Sequence, residues 1–137
     1  MATATVVLDC TDNYATRHAI NAACVRHTKP LVVGAAIRFD GQITVVDPRQ
    51  MNAPCYACIF APNAEFEEMQ CATMGVFAPL VGIIGAMQAA EALKLIVGVA
   101  SSLAGRLLML DARSMAWSAL QVRRGPHCAA CAGVGVV

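Results

Sequence analysis

Two Cys-x-x-Cys pairs, Cys55-Tyr-Ala-Cys58 and Cys128-Ala-Ala-Cys131, stand far apart in a chain with seven cysteines. Such a pair sits on a tight bend that turns two thiolates to one side, close enough to chelate. Two pairs supply four soft ligands, the tetrahedral set that zinc takes at structural sites. A fold that uses them must bring residues 55–58 against residues 128–131. The competing reading is redox chemistry, which needs only one pair, usually opening a helix. Here Cys55 follows Pro54 in a loop and Cys128 follows Gly125-Pro126, so neither reads as a helix start. With all four positions filled by protein, none is left for water, so a zinc held there fixes structure and does not catalyse.

The chain has 137 residues, about one domain's length. It is 58% hydrophobic and only 14% charged, against roughly 25% charged in ordinary soluble domains. Either a membrane or burial against other protein would explain that. A membrane span needs about 18 or more apolar residues with few charges. The best stretch follows Ala72, but it carries Pro79 and is interrupted by Gln88, Glu91 and Lys94. These three recur at every third position and so share one helix face, as in a half-buried helix. The expectation is burial against protein, with no membrane. A net charge of +1, no basic run and few aromatics give no nucleic-acid surface. The start, MATATVVLDC, lacks the basic region of a signal peptide. A cytoplasmic location is expected, where structural disulfides are rare.

The periodicities predict an α/β protein. Thr5–Cys10 is a β-branched run suited to a strand buried on both faces. It stops at Thr11-Asp12-Asn13, which can turn the chain or cap a helix. From Tyr14 to about His27, Ala15, Ile20, Ala23, Cys24 and His27 fall at helical steps, and Lys29-Pro30 ends that helix. LVVGAAIRF reads as the next strand, Asp40-Gly41 as a hairpin turn, and QITVVD as the returning strand. Strand, helix, strand implies parallel pairing of the first two. Pro48 to Gln70 reads as a long functional loop with Glu65, Glu67 and Glu68, and Pro79 to Val97 as a long helix. RLLMLDA and AWSALQVRR read as two final strands.

Among the remaining thiols, Cys10 and Cys24 read as small core residues. Cys71 stands between the acidic loop and the apolar helix, either exposed near a helix N-terminus, where a thiolate is favoured, or packed on the core. Asp9, inside the strand, reads as structural. Asp12 reads either as a helix cap or as a carboxylate at the sheet's ligand-binding edge. Arg17, in the first helix turn, either reaches a phosphate or is solvated or salt-bridged, and Arg38 has an ordinary hairpin role.

VVLDCTDNYATRHAINAACV, PLVVGAAIRFDGQITV, CYAC, CATMGVFAPLVGIIGAMQAAEALKL and HCAAC occur in this order. Together they closely resemble the C-terminal half of the MoeB/ThiF/HesA adenylyltransferases, bacterial relatives of ubiquitin-activating enzymes, over about residues 4 to 133. The resemblance implies the C-terminal part of a Rossmann-like, E1-type fold: a mixed sheet with a long helix, a crossover loop at about 59–73, and zinc knuckles at 55–58 and 128–131. It implies ATP- and magnesium-dependent adenylylation of the C-terminal Gly-Gly of a ubiquitin-like sulfur carrier, ThiS-like or MoaD-like, for thiamin thiazole or molybdopterin synthesis. Asp12 takes the position near the triphosphate and its metal. Cys55, Cys58, Cys128 and Cys131 take the zinc positions, and Cys71 takes that of the crossover cysteine, which in ThiF-like members can link covalently to the carrier or a sulfur donor. A homodimer is also implied.

The family's nucleotide-binding half precedes this region, and its Gly-x-Gly-x-x-Gly turn occurs nowhere in the sequence. Residues 1–137 are therefore expected to be the C-terminal half alone, lacking ATP affinity by itself and associating with its missing half or a second copy. The alternative function is a non-catalytic, zinc-stapled module that docks a ubiquitin-like protein or a partner chain.

Overall fold

The computed structural model describes residues 1, 3–62, 75–99 and 103–132. Cys71, the glutamates at 65, 67 and 68, and most of the expected crossover loop lie outside the described residues. The elements run β1 (Val7–Asp9), α1 (Tyr14–Arg26), β2 (Leu31–Ile37), β3 (Asp40–Val46), α2 (Tyr56–Ile59), α3 (Ala78–Val97), β4 (Arg106–Asp111) and β5 (Ala116–Gln121). They form one five-stranded sheet in the order β1-β2-β3-β4-β5. β1 and β2 are parallel, with Val7 opposite Leu31, and the other pairs are antiparallel. The expected mixed α/β sheet is present.

The continuous apolar run of β2 is explained by burial on both faces. Leu31 and Val33 point to one side, where they pack with Val46, Cys24 and Val25 of α1, and the α2 turn. Val32 points to the other, where it meets Ile43, Val45, and Ala92 and Leu95 of α3. Leu80 and Ile84, nearer the start of α3, close over Leu110. The sheet thins outward: all six residues of β5 are exposed, and at the opposite edge Leu8 of β1 is 42% exposed.

The hairpin differs from the expectation. Ile37 pairs with Asp40, so the connecting loop is Arg38-Phe39, with Arg38 at φ 51°, and Asp40-Gly41 opens β3. Gly41 serves packing instead of turning: a Cβ there would lie 2.9 Å from side-chain carbons of Leu80 and Ile84. Arg38 also receives the chain returning into α3, donating its N–H to Gly75 and accepting from the N–H of Phe77.

The long helix also inverts the expected arrangement. Gln88 and Glu91 do share a face with Lys94, but both are buried against the sheet, while Val81, Leu93, Ile96 and Val97 are exposed. By length and apolar character alone α3 would be able to cross a membrane, and it packs here on β1, β2 and β3. Gln88 is tolerated inside because its amide is used. Nε2 donates to the carbonyls of Asp9 at 2.9 Å and Val32 at 3.3 Å, and Oε1 accepts from Sγ of Cys10 at 3.6 Å. It ties α3 to β1 and β2 across the sheet face.

Space for that amide comes from Gly34, where a Cβ would stand 2.3 Å from Cδ of Gln88. Gly34→Ala must expel a side chain that holds two buried backbone carbonyls. It is expected to cost about 1–3 kcal/mol in urea unfolding. Gly82→Ala, on the open side of α3, is the control expected to show no loss.

Candidate metal centre and the adjoining sheet edge

The first cysteine pair is set by the end of β3. Asp47, buried just beyond that strand, accepts from the backbone N–H of Arg49 at 3.1 Å and is gripped by the same guanidinium at 2.8 and 2.9 Å. This turn delivers residues 50–54 to α2. Contrary to the expectation, Cys55-Cys58 does open a helix: Cys55 is the cap of the one-turn α2, and its N–H lies 3.4 Å from Sγ of Cys58. Four residues are too few to show a helical period, so their sequence gave no sign of it. The tail bends at Gly125, whose carbonyl accepts from the N–H of Cys128 at 3.2 Å and whose N–H points to Sγ of Cys58 at 3.4 Å.

These bends bring the four sulfurs within 4.8 Å of one another. Cys55 and Cys58 are 3.9 Å apart, Cys55 and Cys128 3.7 Å, and Cys58 and Cys131 3.5 Å. A zinc–sulfur bond of about 2.3 Å gives a tetrahedron with edges of about 3.8 Å. The donor set and its spacing therefore fit zinc. The thiols are free and too far apart to be disulfides.

The electrostatics differ from one thiol to the next. Burial pushes the Cys55 thiol up to about 11, against a hydrogen bond from Asn21, and burial with its sulfur neighbours pushes Cys131 up as well. At Cys128 burial is outweighed by backbone hydrogen bonds from Cys131 and Ala130, which bring it down to about 7. Four thiolates packed this closely repel, and a divalent cation is what makes their charge tolerable.

Helix α1 connects this cluster to the carboxyl end of β1. Its cap is Asn13, whose Oδ1 accepts from the N–H of Thr16 at 2.8 Å. That removes the capping role from Asp12, which is exposed just past β1 with the neighbouring Asn13 amide at 3.5 Å. Asp9 is buried and structural in manner: its Oδ1 accepts from both the N–H and the hydroxyl of Thr11. Arg17 is not solvated, and among the described residues it forms no salt bridge. It is buried and donates to the carbonyls of Thr11 and Gly34, bracing the Asp12 turn against β2. Cys24 is a core thiol, as expected, but Cys10 is exposed.

The buried face of α1 is Arg17, Asn21, Cys24 and Val25, of which the apolar periodicity marked only Cys24. Tyr56, fully buried between α1 and the sheet, meets His18 edge-on at 5.1 Å and Phe60 at a tilt, also at 5.1 Å. Asn21 and Tyr56 are the members of this site that sequence reasoning missed. The available signal was the i, i+4, i+7 spacing of Arg17, Asn21 and Cys24.

Comparison with known proteins gives the family. The ThiF family profile matches residues 1–130. The chain is 45% identical over 133 residues to "Sulfur carrier protein ThiS adenylyltransferase" of Escherichia coli, covering 97% of this chain and 52% of that protein. It is 43% identical over 129 residues to "Molybdopterin-synthase adenylyltransferase" of the same organism, covering 92% and 50%. Against "Adenylyltransferase and sulfurtransferase MOCS3" of Drosophila sechellia it is 47% identical over 128 residues, covering 92% and 28%. The chain thus spans about half, or less, of the curated relatives it matches. A crystal structure of E. coli MccB shares the fold at a TM-score of 0.75 and 16% identity, over 93% of this chain and 39% of that one. On the strength of the profile match and these identities, the chain belongs to the ThiF family.

Proposed function

We propose that residues 1–137 are the C-terminal half of a ThiF/MoeB-type domain that adenylylates the C-terminal Gly-Gly of a ubiquitin-like sulfur carrier, in the cytoplasm. In that reaction a carboxylate oxygen of the carrier bonds to the α-phosphorus of ATP. The α–β anhydride bond breaks, and pyrophosphate leaves with the electron pair. The observation that carries the reading is the exposed carboxylate of Asp12 at the carboxyl end of β1, where open α/β sheets bind ligands, released from capping by Asn13. Asp12 would hold magnesium, which supplies neutralisation of phosphate charge. Arg17 supports the turn bearing Asp12 and acts on nucleotide only through it. Cys71 takes the part of the family's crossover cysteine, which would link covalently to the carrier. Cys55, Cys58, Cys128 and Cys131 hold a structural zinc that fixes the α2 turn and the tail.

The nucleotide-binding half, with its glycine-rich turn, comes from outside these 137 residues. Support for association comes from the open edge at β1 and the exposed apolar face of α3. A second copy of the chain or the complementary half covers that face.

Pyrophosphate exchange tests the activity. The 137-residue chain with ATP, magnesium and a Gly-Gly carrier is expected to give none. Adding the N-terminal half of the E. coli ThiS adenylyltransferase is expected to restore exchange, and Asp12→Asn to reduce it on the order of 100-fold. No exchange in any combination, with carrier still bound, would favour the non-catalytic docking module.

Metal is tested on the same sample. One zinc per chain is expected by native mass spectrometry, and its removal by a chelator should lower the thermal midpoint by on the order of 10 °C or more. Cys128→Ser should do the same without chelator. Association is tested by sedimentation: Leu93→Lys with Ile96→Lys is expected to leave a monomer where the parent self-associates. Stability should change by no more than about 0.5 kcal/mol.

A further inference from the structure

Asn21 is fully buried on α1, and both ends of its amide are engaged at the cysteine cluster. Oδ1 accepts from the backbone N–H of Tyr56 at 2.9 Å, and Nδ2 lies 3.5 Å from Sγ of Cys55. The orientation of the amide follows from chemistry. A backbone N–H can only donate, so the oxygen must face Tyr56 and the NH2 group is left to face sulfur.

A zinc with four thiolates carries two net negative charges, and N–H groups aimed at sulfur spread that charge. The donors to Cys58, from Cys55 and Gly125, are backbone groups of the two bends themselves. The donor to Cys55 is different in kind. It is a side chain 34 residues earlier in the chain, on the helix whose first turn follows Asp12. No water competes for it, because Cys55 is also buried, at 2% exposure.

We infer that Asn21 is a positioning residue of the metal centre: its amide orients Cys55 and stabilises that ligand as a metal-bound thiolate, while holding α2 through Tyr56. The inference rests on the reading of the four cysteines as a metal site and extends that site to α1. An apolar side chain of the same size would leave the Tyr56 N–H without its acceptor and the Cys55 thiolate without its donor. Asn21→Asp separates the two effects. It keeps an acceptor for Tyr56 and replaces the donor to sulfur by a carboxylate that repels it.

The direct test is a proton–cadmium correlation spectrum of the unsubstituted protein loaded with cadmium-113 in place of zinc. A cross-peak between the Asn21 side-chain amide protons and the metal, transmitted through N–H···S–Cd, is expected beside backbone cross-peaks such as that of Gly125. Backbone cross-peaks with none from Asn21 would overturn the inference and leave the metal site standing. Failure to bind cadmium would overturn both. As a second measurement, Asn21→Asp is expected to bind zinc about 10–100-fold more weakly in competition with a chromophoric chelator, with an unchanged far-UV circular dichroism spectrum. Affinity equal to that of the unsubstituted protein would overturn the inference. If that variant does not fold, the cadmium spectrum decides alone.

Discussion

Four thiols within 4.8 Å of one another bring the α2 turn against the segment after β5. The α2 turn is four residues long, and the segment after β5 forms no further regular element up to residue 132. Both pack on the core through a few side chains, Tyr56 and Ala57 from the α2 turn and Cys131 from the tail. Coordination of the proposed metal would add to that burial on the order of 10 kcal/mol of folding free energy. Once the α2 turn is fixed, Tyr56 lies under α1, and α1 in turn fixes the turn that bears Asp12. The cysteine cluster is thus linked through α1 to the edge where nucleotide chemistry is proposed.

The opposite face follows different physics. α3 covers β1, β2 and β3 with a mixture of Leu80, Ile84, Ala92 and Leu95, and it places Gln88 and Glu91 inward as well. Gln88 is affordable there because Asp9 and Val32 offer carbonyls and Gly34 offers room. Glu91 is paired with Lys94 at 3.0 Å. With polar residues satisfied on the inside, the apolar residues of the outer face lie open. That face, with Val81, Leu93, Ile96 and Val97, contributes to the unusually apolar composition.

Much of this was legible in the sequence. Parallel β1 and β2 joined by α1, the long helix and the two terminal strands followed from hydrophobic period and turn residues. The cysteine cluster followed from ligand type and spacing, which are properties of side chains and survive any uncertainty about the fold. What escaped were features decided by distant partners. Asp40-Gly41 has the composition of a turn, yet Gly41 is needed beneath Leu80 and Ile84. Gln88 and Glu91 look like a solvent face until the carbonyls and the lysine that satisfy them are known. Arg17 and Asn21 are polar, so an apolar period passes over the buried side of α1. Asp12 and Asn13 are adjacent and both able to cap, and only the 2.8 Å bond from Thr16 assigns the role to Asn13.

The account depends most on the cysteines acting together on one metal ion. X-ray absorption at the zinc edge of the purified protein measures that directly. The prediction is a first shell of four sulfurs at about 2.3 Å and no nitrogen or oxygen. A shell containing nitrogen or oxygen, or protein free of zinc with oxidised Cys55-Cys58, would contradict it.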